Sequence, residues 1–172
     1  MTSMSRHLLF ILLMATSGAS VAEQSFMISP SFGMASVDDY DDTTHIRIDG
    51  SYFIMPEFGI NAFVTNYSDF ETSGDYGDAA IELDGYGIGL IGRWQAHPRF
   101  HPYLRVDYFY WDAELTALGR NIGSESDFST GIALGAQLPI KGFFGLKLEA
   151  QRYYDVSGAD IDQLNFGATF EF

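Results

Sequence analysis

The chain has 172 residues, enough for one domain, and its 47% hydrophobic and 19% charged content excludes disorder by composition. With no cysteine there are no disulfides, thiolate nucleophiles or cysteine-based metal sites. Lys plus Arg total 9 against 23 Asp plus Glu, a net charge of -14 that argues against binding nucleic acid, and a mean hydropathy of +0.00 excludes a bundle of transmembrane helices.

The first 22 residues read as an export signal. Arg6 sits in a polar start, Leu8–Ala15 is an apolar run, and Ser20-Val21-Ala22 is a small-x-small cleavage site. An apolar run this short cannot span a bilayer as a helix, which takes about 20 residues. The competing reading is an amphipathic or anchor helix. Cleavage after Ala22 leaves one domain over residues 23–172, with its charge lowered from -14 to -15 by loss of Arg6.

From Phe26 the chain alternates. Bulky apolar residues occupy even positions, as in Phe26, Ile28, Pro30, Phe32 and Met34, then Ile46, Ile48, Tyr52 and Ile54, then Phe58, Ile60, Ala62 and Val64. The same parity holds for Tyr86–Trp94, Leu104–Tyr110, Phe128–Leu138, Phe144–Ala150 and Leu164–Phe172. These are eight period-two segments of about 10 residues, the strand length a bilayer requires. Ile81 and Leu83 fall out of phase, which predicts a bulge near Asp84-Gly85.

The odd face is rich in Gly, Ser, Asn and Gln. Small polar residues suit the inside of a narrow closed barrel, with bulky apolar residues outside against lipid. In lipid the sheet must close, because an open edge leaves backbone groups unpaired. Short connections (55–57, 95–99, 139–142) alternate with long polar ones (38–44, 68–80, 112–126, 155–161), as periplasmic turns and outer loops do. The expected fold is all-β, an eight-stranded antiparallel up-and-down transmembrane β-barrel. Its rival is a soluble lipocalin-like carrier, in which the apolar face would be an inner core.

Three stretches resemble the small eight-stranded outer-membrane barrels, that is, the OmpA-like transmembrane domain and the wider porin superfamily. They are GYGIGLIGRW at 85–94, PYLRVDYFYW at 102–111 and LNFGATFEF at 164–172. The likeness extends over 23–172. It implies an integral protein of a Gram-negative bacterial outer membrane, in contact with lipid and lipopolysaccharide, with no cofactor. It also implies that Phe166, Phe170 and Phe172 form the signal read by the barrel assembly machinery. A peptidoglycan-binding domain after the barrel is not expected.

Candidate functional residues follow from parity. Arg47, Asp49, Arg105, Asp107, Lys147 and Glu149 point inward, as do Arg93 and Glu171. Desolvated charges must pair, so the first six are expected to form an internal ion-pair network. Such a network serves either a gated conduit or the filling of a barrel too narrow to conduct, and eight strands favour filling. Two acidic clusters, Asp38, Asp39, Asp41, Asp42 and Glu71, Asp69, Asp75, Asp78, suit either divalent cations near lipopolysaccharide or a solvated surface. His97 and His101 flank prolines in a turn. No esterase elbow, HExxH or His-Ser pair is present, so no enzyme is expected. Tyr52, Phe58, Trp94, Phe100, Tyr108, Tyr110, Trp111, Phe144, Tyr154, Phe170 and Phe172 suit interfacial girdles. The function expected is structural and surface-interacting. The alternatives are a narrow pore for small solutes or ions, or an adhesin-type binder.

Overall fold

The computed structural model describes residues 24–37, 42–68, 70–74, 77–117 and 120–172; the proposed signal segment, residues 1–22, lies outside them. The described residues form strands and no helix. The strands are β1 (Ser25–Val37), β2 (Thr43–Met55), β3 (Phe58–Tyr67), β4 (Phe70–Gly74), β5 (Gly77–Arg93), β6 (His101–Ala117), β7 (Arg120–Lys141), β8 (Phe144–Val156) and β9 (Ala159–Glu171).

Every neighbour is antiparallel. The ladder runs β3-β2-β1-β9-β8-β7-β6-β5, and pairing of β3 with β5 closes it. Strand β4 continues β3 along the same partner, so the barrel has eight staves. At the β1–β9 seam Phe26 N–H donates to the Phe172 carbonyl at 3.0 Å and Phe172 N–H returns the bond at 2.8 Å.

Alternation sets which face each residue takes. Odd positions point inward around the ring and even positions outward, except at Val156, which is buried beyond the β8–β9 register shift. The outer face is a continuous apolar band that includes Phe32, Ile46, Ile60, Ile88, Leu134 and Leu164, each 49–66% exposed. A polar ring of Ser36, Thr44, Asn66, Asp84, Asp112, Ser126, Arg152 and Asp162 bounds it at the long-hairpin end. The nine residues Phe26–Met34 rise roughly 30 Å along the strand, which the tilt of a barrel stave reduces to roughly 25 Å of height.

Three expectations are corrected. There is no bulge at Asp84-Gly85, because β5 pairs with β6 in unbroken register from Ala79 to Arg93. Leu83 is instead an inward residue, buried above the level of the lipid band. The irregularity lies on the other partner: Asn66 pairs with Asp84 and Phe70 with Ile81, four steps against three.

The described residues of the long connections at 112–126 and 155–161 are mostly strand. Strands β6 and β7, of 17 and 22 residues, run far past the band, and β8 and β9 meet in a tight turn at Ser157-Gly158. Segment 68–80 likewise folds largely as the β4–β5 hairpin.

The inside is also not confined to small polar residues. Trp111, expected in a girdle, is 1% exposed inside the barrel, together with Phe53, Phe63, Tyr67, Tyr103, Phe109 and Tyr153. Inward glycines make room for these rings. A Cβ on Gly87 would lie 2.6 Å from Phe63 Cζ, one on Gly131 2.5 Å from Tyr153 Cδ1, and one on Gly135 2.5 Å from Tyr103 Cζ. Of the other girdle residues, Tyr52, Phe58, Trp94, Phe100, Tyr108, Tyr154 and Phe172 are outward and well exposed.

Candidate functional site inside the barrel

The interior is stacked in three layers. At the short-turn end Met27, Phe53, Ile91 and Tyr103 form an apolar cluster. At the other end Ala35, Phe63, Tyr67, Leu83, Phe109, Trp111, Tyr153, Val156 and Ile161 form a larger one. Between them lies a charged layer.

Three strands build that layer in the same way. Strand β2 carries Arg47 and Asp49, β6 carries Arg105 and Asp107, and β8 carries Lys147 and Glu149. Residues two apart on a strand share a face, so each strand delivers a cation and an anion to the lumen. Arg47 donates from Nε to Asp49 Oδ1 at 2.9 Å, and Arg105 from Nε to Asp107 Oδ2 at 2.9 Å.

The remaining contacts cross the lumen. Lys147 Nζ meets Asp49 Oδ2 at 2.7 Å, Arg105 Nη1 meets Glu149 Oε2 at 2.9 Å and Asp49 Oδ1 at 3.3 Å, and Arg47 Nη2 lies 3.5 Å from Asp107 Oδ2. All six side chains are 0–2% exposed. Three cations balance three anions, so the layer carries no net charge.

Neutral side chains take up the remaining valences. Gln151 donates to Asp107 at 2.7 Å and accepts from Arg47 at 3.1 Å and Arg105 at 3.3 Å. Tyr103 donates to Glu149 at 2.6 Å, and Asn165 donates to Glu149 at 3.1 Å. His45 Nε2 and Asn165 Oδ1 are 2.5 Å apart. Arg47 also donates to Tyr153 Oη at 2.7 Å and stacks over the Phe63 ring at 3.6 Å, which joins the charged layer to the upper cluster. Gln151, Asn165, His45 and Tyr103 are not among the residues that charge and parity single out. Their odd parity beside inward charges is the signal that would have found them.

Arg93 and Glu171 form a separate pair lower down. They bond bidentately at 2.9 and 3.0 Å, with Arg93 over the Phe53 ring at 3.9 Å and Gln137 accepting at 3.2 Å. Outside the band, at the rim, Arg152 grips Asp162, with Nε to Oδ1 at 2.6 Å. The guanidinium holds the Asp162 carboxyl below the usual aspartate range.

The other singled-out residues lie elsewhere. Phe166 packs edge-on against Phe32 at 6.1 Å, Phe170 lies 5.7 Å from Phe144, and Phe172 stacks on Phe143 at 5.7 Å, all on the outer face. His97 closes the turn between β5 and β6, where its Nδ1 accepts from Arg99 N–H at 3.1 Å. Asp38, Asp39, Asp41, Asp69 and Asp75 fall outside the described residues. Among the described residues no group of His, Asp or Glu is arranged to hold a metal ion.

A closed antiparallel barrel with a lipid-height apolar band outside and paired charges inside is an outer-membrane barrel. The chain belongs to the outer membrane protein beta-barrel domain family, which matches residues 8–172, and this places it in the bacterial outer membrane. Comparison with curated proteins finds no match. Among solved structures the chain is similar to Neisserial surface protein A, with 17% identity, a TM-score of 0.71, and 91% of this chain and 100% of that one covered. It is also similar to Ail, the attachment invasion locus protein of Yersinia pestis (12%, 0.60, covering 88% and 100%), and to OprG of Pseudomonas aeruginosa (12%, 0.61, covering 88% and 96%). At these identities the likeness is one of fold.

Proposed function

We propose that this protein is a non-conducting, non-enzymatic barrel whose task is to hold its outer hairpins at the cell surface for interaction. The observation that carries the reading is the filled lumen. Two apolar clusters enclose a neutral ion-pair layer, and an ion entering it would have to displace buried, mutually bonded charges. The extension of β6 and β7 past the rim supports reading the interaction surface as lying outside the barrel. The names of two neighbours, a surface protein and an attachment invasion locus protein, lend support. Ail has also been crystallised with a heparin analogue. A polyanion suits this chain poorly, since its net charge is -14.

The narrow-pore reading requires the ion-pair layer to open. The acidic clusters serve as a solvated outer surface, and residues 1–22 serve as a cleaved export signal. The test of the surface role is adhesion. Bacteria displaying the protein should be retained on epithelial cells or matrix more than bacteria displaying a version with residues 113–126 excised. Equal retention, with both forms folded and surface-exposed, would remove the reading.

A further inference from the structure

A buried donor or acceptor left without a partner is costly, so such atoms mark places where a group from elsewhere would be held. Gln137 Nε2 and His101 Nδ1 are two of them. Among the described residues they are also the one pair of such atoms on directly facing positions, because His101 on β6 pairs with Gln137 on β7. Side chains that face each other in this way start from Cβ atoms about 5 Å apart. Both lie at the short-turn mouth of the lumen, which is the periplasmic end of such barrels.

The neighbours fix the chemistry. Arg93 Nη1 donates to Gln137 Oε1 at 3.2 Å, which turns the amide carbonyl to Arg93 and leaves the NH2 on the other side. Gln137 is 2% exposed, so that NH2 is kept from bulk water. Arg93 is itself fixed, by Glu171 and by the Pro56 carbonyl at 3.2 Å, and Glu171 accepts from Ser25 at 2.7 Å. The amide is therefore a preset donor. His101 is half-buried and the Glu171 side chain is 33% exposed, so small solutes reach this level from the mouth. The charges acting on His101 are Arg93 and Glu171, one of each sign. An NH2 group donates only, which rules out a cation as its partner. Two neighbouring N–H donors suit two oxygens that share one negative charge, and one imidazolium proton balances that charge.

We propose that Gln137 and His101 form a carboxylate-binding site at the short-turn mouth, with Arg93 as the positioning residue that orients the amide. Gln137 Nε2–H donates to one carboxylate oxygen and His101 Nδ1–H to the other. The occupant is a carboxylate-bearing solute or chain end small enough to enter beside Glu171. This goes beyond the surface role and requires no conduction, because the Met27, Phe53, Ile91 and Tyr103 cluster lies between the site and the charged layer.

The probe is acetate, titrated at constant ionic strength against the detergent-folded protein and followed by NMR of its histidine rings and glutamine amides. The His101 signals should move saturably within about 0.1 M acetate, as a ligand of so few atoms permits. The Gln137 NH2 signals should follow the same curve. His97 is the internal control, because its Nδ1 already accepts from Arg99 N–H at 3.1 Å. Gln137→Leu keeps the bulk and removes the donor, and it should weaken acetate at least roughly tenfold. Heat-modifiable gel mobility confirms that the variant is folded, and the Gln137 signals of the wild type decide the matter if it is not. Equal movement of His97 and His101, no saturation, or unchanged affinity in Gln137→Leu overturns the proposal. So does a Gln137 NH2 that ignores acetate, which would mean that it bonds to His101 alone. Each of these results leaves the adhesion comparison standing.

Discussion

At the scale of single residues, the interior is held by charges that cannot be removed one at a time. Arg105 touches Asp49, Asp107 and Glu149. Arg105→Ala would leave three buried carboxylates facing only Arg47 and Lys147. A loss of about 3–5 kcal/mol is expected, read from the urea midpoint of the folded band on gels. A midpoint unchanged from wild type would mean that the layer is hydrated and not a dry ion-pair core. Gly131 lies against the Tyr153 ring. Gly131→Val should cost about 1–3 kcal/mol by overpacking, in the same assay. Asp162 at the rim tests electrostatics outside the band. Its carboxyl should titrate below the ordinary aspartate range by NMR and return to that range in Arg152→Gln. The sign follows from the lowered value: the Arg152–Asp162 contribution is present above the ordinary range and is lost as pH falls through the folded one.

At the scale of strands, parity told much of the story. Two residues apart on one strand means one face, so the pairs on β2, β6 and β8 could be placed inward before any contact was known. Which cation meets which anion across the lumen could not be read, because stagger between distant staves sets it. Lys147 reaching Asp49 is such a contact. Ile81 and Leu83 misled because the sequence does not mark where a strand leaves the lipid. Above the rim an apolar inward residue joins the upper cluster, and no bulge is needed. The inward rings were hidden for a related reason. Gly87 and Gly131 looked like small fillers, but each is the space for a ring on a neighbouring stave, Phe63 and Tyr153. The upper part of hairpin β6–β7 runs on past Thr130–Tyr154, the last β7–β8 pair. Excision of 113–126 should leave heat-modifiable mobility intact, whereas loss of that mobility would show that the protruding sheet is part of the folding core.

At the scale of the molecule, the lipid-facing band, the closed ladder and the neutral charged layer form one design. The band commits the outside to the membrane. Along the band, closure pairs each stave's backbone on both sides. The interior must then fill itself, and it does so with rings at both ends and balanced ions between. On the proposed reading, function is left to what rises above the rim. The measurement that bears most directly on this account is planar-bilayer recording of the purified, folded protein beside Arg105→Ala. The account predicts no stable conductance from wild type, with current appearing only where the ion-pair layer is broken. A large, steady conductance from the wild-type protein would contradict it, because ions would then be crossing a lumen that the structure fills.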